Sequence, residues 1–444
     1  MMKDVEHGVA FVLLPRPDTV PTGIGVIRSL GRRGIAVIAA SSERAPLSST
    51  SRYVREYLRL PDPADDCPAF VDALVEAGMA HSPRPVLFVS SDYDALLVNS
   101  YRERIEAAFR YPFISREALA CCLEKDRTIA LAQAAGVGYP ATWRVDPDAD
   151  IESVCASVAY PCVIKPSSWA EFDGVKIREK SAFRKVFRSK AVRARTEAEL
   201  AAVLSQTREM GFPIVVQEEI TGPSDQILAA SVCTDEHGAI RAIYTCRKTR
   251  QYPSDFGTGT MIEGVPLPEV ADLCERLCRE ARFHGVAELE FKRDVRDGEL
   301  KIIEINPRPG TWISAAPASG VDTPYIAYRD LAGLPVAQQR QRDELVRWCE
   351  AWPDLEYFIK NRKGDHTGAR LSLRDYLASR RGRCAWAYWA PDDPRPSVRR
   401  LGHEVADLLS RAFRRAMRGI RRTPPGSGVA QDQARAAVAG RPTA

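Results

Sequence analysis

The chain has 444 residues, 45% apolar and 27% charged, an ordinary globular composition with room for two to four domains. Charges or prolines interrupt every apolar run before transmembrane length, and eleven scattered cysteines without a Cys-x-x-Cys pair argue for a reduced cytosolic chain over a secreted scaffold. Six dispersed histidines lack the spacing of zinc ligands. The net charge of +5 is uneven: residues 395–422 carry nine arginines against Glu404 and Asp407, so the remainder is near neutral, which excludes a general nucleic-acid binder.

Met1-Met-Lys-Asp-Val-Glu-His7 carries acids and leads straight into a strand, unlike a signal peptide. Val9–Leu14 reads as a buried strand, Thr22–Leu30 as a helix and Ile35–Ala40 as a second strand. That β-α-β start predicts a parallel sheet, continued by Val86–Ser90 and a helix after Ser91-Asp-Tyr-Asp94, with a first domain over residues 1–112. Gly23-x-Gly25 resembles half of a dinucleotide fingerprint. Arg28 stands at its third position, however, and no acid closes the second strand.

Leu123–Ala135 has a helix pattern ending at Gly136. Cys162-Val-Ile-Lys165 is a strand; residues 167–190 after it are polar and basic. Thr196-Glu-Ala-Glu199 resembles a capping box opening a helix to about Met210. Pro213–Ile220 is another apolar strand ending in Gln217-Glu-Glu-Ile220. Strands near 227–234 and 240–247 follow, then a helix over 268–283. Arg247, Lys248 and Arg250 form a basic cluster, read equally well as a solvated strand end or as an anion site.

Two alternating strands come next. Ala287-Glu-Leu-Glu-Phe-Lys292 puts Glu290 on one face, and Ile302-Ile-Glu-Ile-Asn-Pro-Arg-Pro-Gly310 aims Glu304 and Asn306 together. Asp297-Gly298 marks a hairpin turn between them. The hairpin would bring Glu290 beside Glu304 and Asn306, the oxygen donors that a Mg²⁺ shared with phosphates needs, with Arg308 as a neighbouring fixed cation. A surface hairpin with solvated acids is the plainer alternative, but it leaves acid, amide and arginine among isoleucines unexplained.

The set Lys125, Lys165, Gln217–Ile220, Glu290, Glu304, Asn306 and Arg308 resembles the ATP-grasp superfamily in order and spacing over roughly residues 9–330. The resemblance implies an α/β chain: a parallel-sheet pre-ATP-grasp domain (1–112), then an ATP-grasp domain (113–335) whose two α+β subdomains clamp ATP. The lid subdomain would span about 158–216. A mostly helical C-terminal extension would comprise a module at 336–394, a basic amphipathic helix at 395–422 and a disordered tail at 423–444. It also implies that Lys125 and Lys165 hold the α- and β-phosphates. Glu218 and Ile220 would read the adenine edge through their backbones, with Gln217 or Glu219 helping and Asp225 contacting ribose. Glu290, Glu304 and Asn306 would bind Mg²⁺ or Mn²⁺, while Arg308 and Lys248 serve catalysis. Ser167–Lys176 departs from the family's glycine-rich phosphate loop by offering only Gly174.

The expected activity is an ATP-dependent carboxylate–amine ligase working through an acyl phosphate on small-molecule substrates, one of them an amino acid by resemblance to D-aspartate ligase-like proteins. Carboxyphosphate chemistry and a non-catalytic, membrane-associated nucleotide-binding module are the alternatives. Val398, Leu401, Val405, Leu408, Leu409, Phe413, Met417 and Ile420 recur at helical spacing opposite arginines. Such a helix either packs on the protein or lies on an anionic membrane. The expected location is the cytoplasm, with peripheral contact through 397–422 left open.

Overall fold

The computed structural model describes residues 8–167, 178–362, 364 and 370–420. Most of the lid loop, residues 168–177, and the expected tail at 423–444 lie outside these. The chain divides into two compact units, Met1–Pro396 and Ser397–Ala444.

The N-terminal sheet consists of β1 (Val9–Leu13), β2 (Ala36–Ser41), β3 (Val54–Arg59) and β4 (Val86–Val89), all parallel in the order β3-β2-β1-β4. Its apolar strands are buried on both faces, as expected where crossover helices cover a parallel sheet. The helix Thr22–Gly31 makes the first crossover. A Cβ on Gly25 would stand 2.4 Å from Ile313 Cγ2, and one on Gly23 2.5 Å from Leu14 Cδ2. Both glycines therefore permit close packing, which accounts for the Gly-x-Gly spacing without a nucleotide. Arg28, at the third fingerprint position, is buried and donates to Asp393 Oδ2 (3.0 Å) and the Tyr388 carbonyl (2.7 Å). Ser51 Oγ and the Arg52 N–H also donate to the Asp393 carboxylate, so this buried charge pair is fully hydrogen-bonded and ties residues 388–393 to the first domain.

A second sheet, antiparallel in the order β5-β8-β6-β7, contains β5 (Thr142–Val145), β6 (Cys162–Pro166), β7 (Val192–Ala194) and β8 (Ile214–Glu218). It draws β5 from upstream of residue 158. The N-cap half of the capping box forms, with Thr196 Oγ1 accepting the Glu199 N–H; the Glu199 carboxylate accepts the N–H of Arg195, one residue before the cap, at 2.7 Å.

The third sheet runs β13-β12-β9-β10-β11-β14-β15. Its strands are β9 (Ile227–Thr234), β10 (Ile240–Tyr252), β11 (Thr258–Gly264), β12 (Gly285–Arg293), β13 (Leu300–Asn306), β14 (Val346–Cys349) and β15 (Arg383–Trp386). Residues 336–394 thus supply the last two strands of this sheet. The helix Pro268–Ala281 packs Val270, Leu273, Cys274 and Leu277 into the core beneath it.

The sequence pattern over Leu123–Ala135 resolves differently from one continuous helix. Helices Arg116–Leu123 and Lys125–Ala134 are separated by Glu124, whose backbone is extended (φ −102°, ψ 126°). Extended geometry at that residue stops the first helix and lets Lys125 open the second.

The second unit, described by itself, is dominated by the helix Arg395–Ile420. Val398, Leu401, Val405, Leu408, Leu409 and Phe413 are exposed along it. Among the described residues no helix is long and apolar enough to cross a membrane.

Candidate active site

The hairpin at the edge of the large sheet builds the site. β12 and β13 pair antiparallel with Glu290 opposite Glu304 and Glu288 opposite Asn306, and a bulge falls between Glu290 and Phe291. Gly298 takes φ +76° in the turn, a conformation glycine adopts without steric penalty. Asp294 anchors the turn by accepting from Lys301 Nζ (2.9 Å), Thr221 Oγ1 (2.8 Å) and Arg296. Those bonds, led by Arg296, hold the Asp294 carboxyl well below its ordinary range. Arg296 also pairs with Glu218, which fixes the hairpin against the end of β8.

Two facing glutamates would repel, and cations offset this. Lys248 Nζ, arriving from β10, lies 2.7 Å from Glu290 Oε2, and Lys125 Nζ lies 4.0 Å from Glu304 Oε2. Burial alone would lower Lys248, but Glu290 and the other two glutamates outweigh it and raise its pKa. Asn306 Nδ2 reaches Glu304 Oε1 (3.3 Å) and Glu288 Oε1 (3.4 Å), while its Oδ1 accepts from Arg308 Nη2 at 3.4 Å. Arg308 Nε stands 2.7 Å from Asp92 Oδ1, so the helix after β4 of the N-terminal sheet reaches into the site. Burial opposes the charge on Arg308, but Asp92, Glu288 and Glu304 raise its pKa overall.

These side chains face a cleft of about 300 Å³. Of the residues singled out in the sequence, Lys125, Lys165, Gln217–Ile220, Lys248, Glu290, Glu304, Asn306 and Arg308 line it together. Asp225 does not: it is exposed on the 3₁₀ turn Ser224–Gln226, outside the cleft lining. The hinge is more committed than the sequence implied. The Glu218 N–H donates to the Ala141 carbonyl, and the Ile220 carbonyl accepts from Lys292 Nζ at 2.7 Å. Arg193 grips Glu219 through two bonds of 2.7 and 2.8 Å, and holds Asp255 at 3.1 Å. Gln217 Nε2 donates to Thr142 Oγ1.

Glu288 escaped the sequence reading although it lies two residues before Glu290 on the same strand face. It is buried, and its Oε2 has no hydrogen-bond partner among the described residues. Burial first, then the neighbouring Glu290, raises its pKa to about 8. A Cβ on Gly310 would fall 1.5 Å from Glu288 Oε2, so the glycine closing Asn-Pro-Arg-Pro-Gly is the space this carboxyl fills.

The donors fit a hard divalent cation. Among the described residues no three His, Cys, Asp or Glu form a ready metal cage. Two carboxylates and an amide oxygen, completed by water and phosphate oxygens, are instead the incomplete shell typical of a nucleotide-bound Mg²⁺ or Mn²⁺.

A family model described as "ATP-grasp in the biosynthetic pathway with Ter operon" matches residues 233–351, which include the whole hairpin and Lys248. The D-aspartate ligase of Enterococcus faecium (strain Aus0004) is 21% identical over 257 residues, covering 55% of this chain and 59% of its own. The chain thus spans less than two thirds of that relative. The L-amino acid ligase from Bacillus licheniformis superposes with TM-score 0.53 at 16% identity, over 74% of this chain and 75% of its own. The biotin carboxylase domain of the Hydrogenobacter thermophilus 2-oxoglutarate carboxylase, solved with MgADP and bicarbonate, gives 0.55 at 16%, over 75% and 71%. The chain has the α/β ATP-grasp fold of these structures, with a parallel four-stranded sheet at the N-terminus and a largely helical C-terminal region.

Lys165 at the end of β6 provides a pH signature. Burial, then the nearby Lys125, lowers its pKa from 10.5 to about 7. Between those values the unfolded chain holds a proton that the folded site does not. The resulting cost to stability is absent above 10.5 and fully developed below about 7. A bound polyphosphate would restore the charge. Nucleotide binding at about pH 8 should therefore take up close to one proton through this group. Calorimetric titration in buffers of different ionisation enthalpy reads that uptake, which Lys165→Met should abolish; equal uptake in both proteins would refute the assignment.

Proposed function

We propose that this protein is an ATP- and Mg²⁺-dependent ligase that joins a carboxylate to an amine through an acyl phosphate. The observation that carries this reading is the convergence of Glu290, Glu304, Asn306, Lys248 and Arg308 with Lys125 and Lys165 on one cleft. Lys125 and Lys165, from two different elements, hold the α- and β-phosphates as compact point charges. The Ile220 N–H meets the adenine edge, because the Ile220 carbonyl and the Glu218 N–H are already engaged. Glu290, Glu304 and the amide oxygen of Asn306 would hold the metal, and a bound Mg²⁺ would supply neutralisation of the charge on the nucleotide's phosphates.

Arg308 presents a permanently charged planar fork to the transferring phosphoryl group and to the acceptor oxygen. Lys248 balances the charge of Glu290 at 2.7 Å. Transfer of the γ-phosphoryl group to a carboxylate oxygen yields ADP and an acyl phosphate. Attack by the amine nitrogen then forms the amide bond, breaks the C–O bond to phosphate and releases inorganic phosphate with the amine proton. The named relatives, a D-aspartate ligase and an L-amino acid ligase, support an amino acid as one substrate.

Screening pairs of amino acids and small carboxylates should find a pair that triggers Mg²⁺-dependent ADP release. Glu304→Ala should abolish that release while leaving the melting temperature close to that of the parent. Turnover retained in Glu304→Ala would overturn the site.

We further propose that the helix Arg395–Ile420 seats on an anionic bilayer. The support is charge complementarity: an exposed apolar row from Val398 to Phe413 accompanied by the nine arginines of residues 395–422. The full chain should co-sediment with phosphatidylglycerol vesicles, less so at high salt, and Leu401→Glu/Leu408→Glu should stay in the supernatant. Equal sedimentation of both would contradict this.

A further inference from the structure

Arg308 belongs to the metal-binding hairpin, yet its guanidinium is held from outside that hairpin. Pro307 and Pro309 flank it, so its backbone has little freedom. Its N–H donates to the Asn306 carbonyl at 2.8 Å, and Nη1 donates to the Pro309 carbonyl at 3.1 Å. These contacts fix the root of the side chain. The Nε edge of the fork meets Asp92 Oδ1 at 2.7 Å, while Nη2 faces Asn306 Oδ1.

Asp92 is the first residue of the helix Asp92–Ser100, which follows β4 of the parallel sheet. Ser91 caps this helix: its Oγ accepts the Asp94 N–H at 3.1 Å and donates to Asp94 Oδ2 at 2.6 Å. The cap fixes the direction in which Asp92 leaves the helix. Asp92 and Arg308 are largely buried, with side chains 13% and 17% exposed, so solvent weakens their attraction much less than at a surface. Asp92 does not line the nucleotide cleft. It meets the reaction only through Arg308.

We propose that Asp92 is a positioning residue supplied by the N-terminal domain, which aims the Arg308 fork at the phosphoryl-transfer point of the cleft. This inference rests on the ligase reading for the chemistry it serves, but the pairing itself is independent of that reading. Arg308 Nε and Asp92 Oδ1 make no aligned hydrogen bond among the described residues, so Asp92 acts as a fixed charge at 2.7 Å. Together with the Pro309 carbonyl and Asn306 Oδ1, it limits rotation of the planar fork. The same pairing makes phosphoryl transfer sensitive to the seating of the first domain against the hairpin.

The test uses the full chain with Asp92→Asn, Asp92→Glu and Arg308→Lys, alone and combined. Asp92→Asn should lower kcat for ADP release by about 10- to 100-fold with little change in KM for ATP, because the phosphate lysines are untouched. Asp92→Glu should recover part of that loss. In the Arg308→Lys background, Asp92→Asn should add almost nothing, since both changes remove one aimed group. Full additivity, or unchanged kcat in Asp92→Asn, would overturn the proposal while leaving the ligase reading intact. The Arg308 Nε–H resonance, assigned by its disappearance in Arg308→Lys, provides a readout that needs no turnover. It should shift in Asp92→Asn, and an unmoved resonance refutes the pairing even if no substrate is found.

Discussion

The structure depends most on the register between β12 and β13. Antiparallel pairing sets Glu290 against Glu304 and Glu288 against Asn306, so four oxygen-bearing side chains converge at one edge of the large sheet. Slipping that register by one residue would turn these groups to the opposite face and bury isoleucines in the cleft. The pairing is held from both ends. Asp294 and Gly298 shape the turn, while Pro307 and Pro309 stiffen the exit around Arg308.

Concentrating carboxylates there carries an electrostatic cost, which the rest of the fold offsets. Lys248 comes from the neighbouring region of the same sheet, Lys125 from a helix start and Arg308 from the strand end. The offset is incomplete at Glu288, whose raised pKa records burial beside Glu290. It is also incomplete at Lys165, whose lowered pKa records burial beside Lys125. A site with one buried acid pushed up and one buried lysine pushed down suits incoming charge of both signs, as a metal cation and a polyphosphate would bring. The second sheet contributes Lys165 and, through Arg193, a strong grip on the hinge at Glu219.

Much of this is legible in the sequence, because it lies in local periodicity. Alternation through Ile302–Arg308 and Ala287–Lys292, with Asp297-Gly298 between, specifies the hairpin and most of the oxygen donors. Glu288 carried the same alternation signal and was passed over; what pattern could not show was its burial against Gly310. Asp92 was illegible for a different reason. Its partner lies more than 200 residues further along in another sheet, and no local rule links a helix start to so distant a strand end. Asp225 is the reverse case, a plausible spacing that falls on an exposed 3₁₀ turn outside the cleft lining. The break at Glu124 and the recruitment of β14 and β15 into the large sheet likewise depend on tertiary pairing, which outweighs local preference.

The proposed ligase chemistry requires that phosphoryl transfer in this cleft end on a carboxylate oxygen. The most direct measurement supplies an acceptor carboxylate labelled with oxygen-18, with MgATP and the amine, and analyses the phosphate released. One labelled oxygen in each phosphate is expected, carried from the carboxylate when the amide forms. Phosphate released with no label, its fourth oxygen drawn from water, would contradict that chemistry.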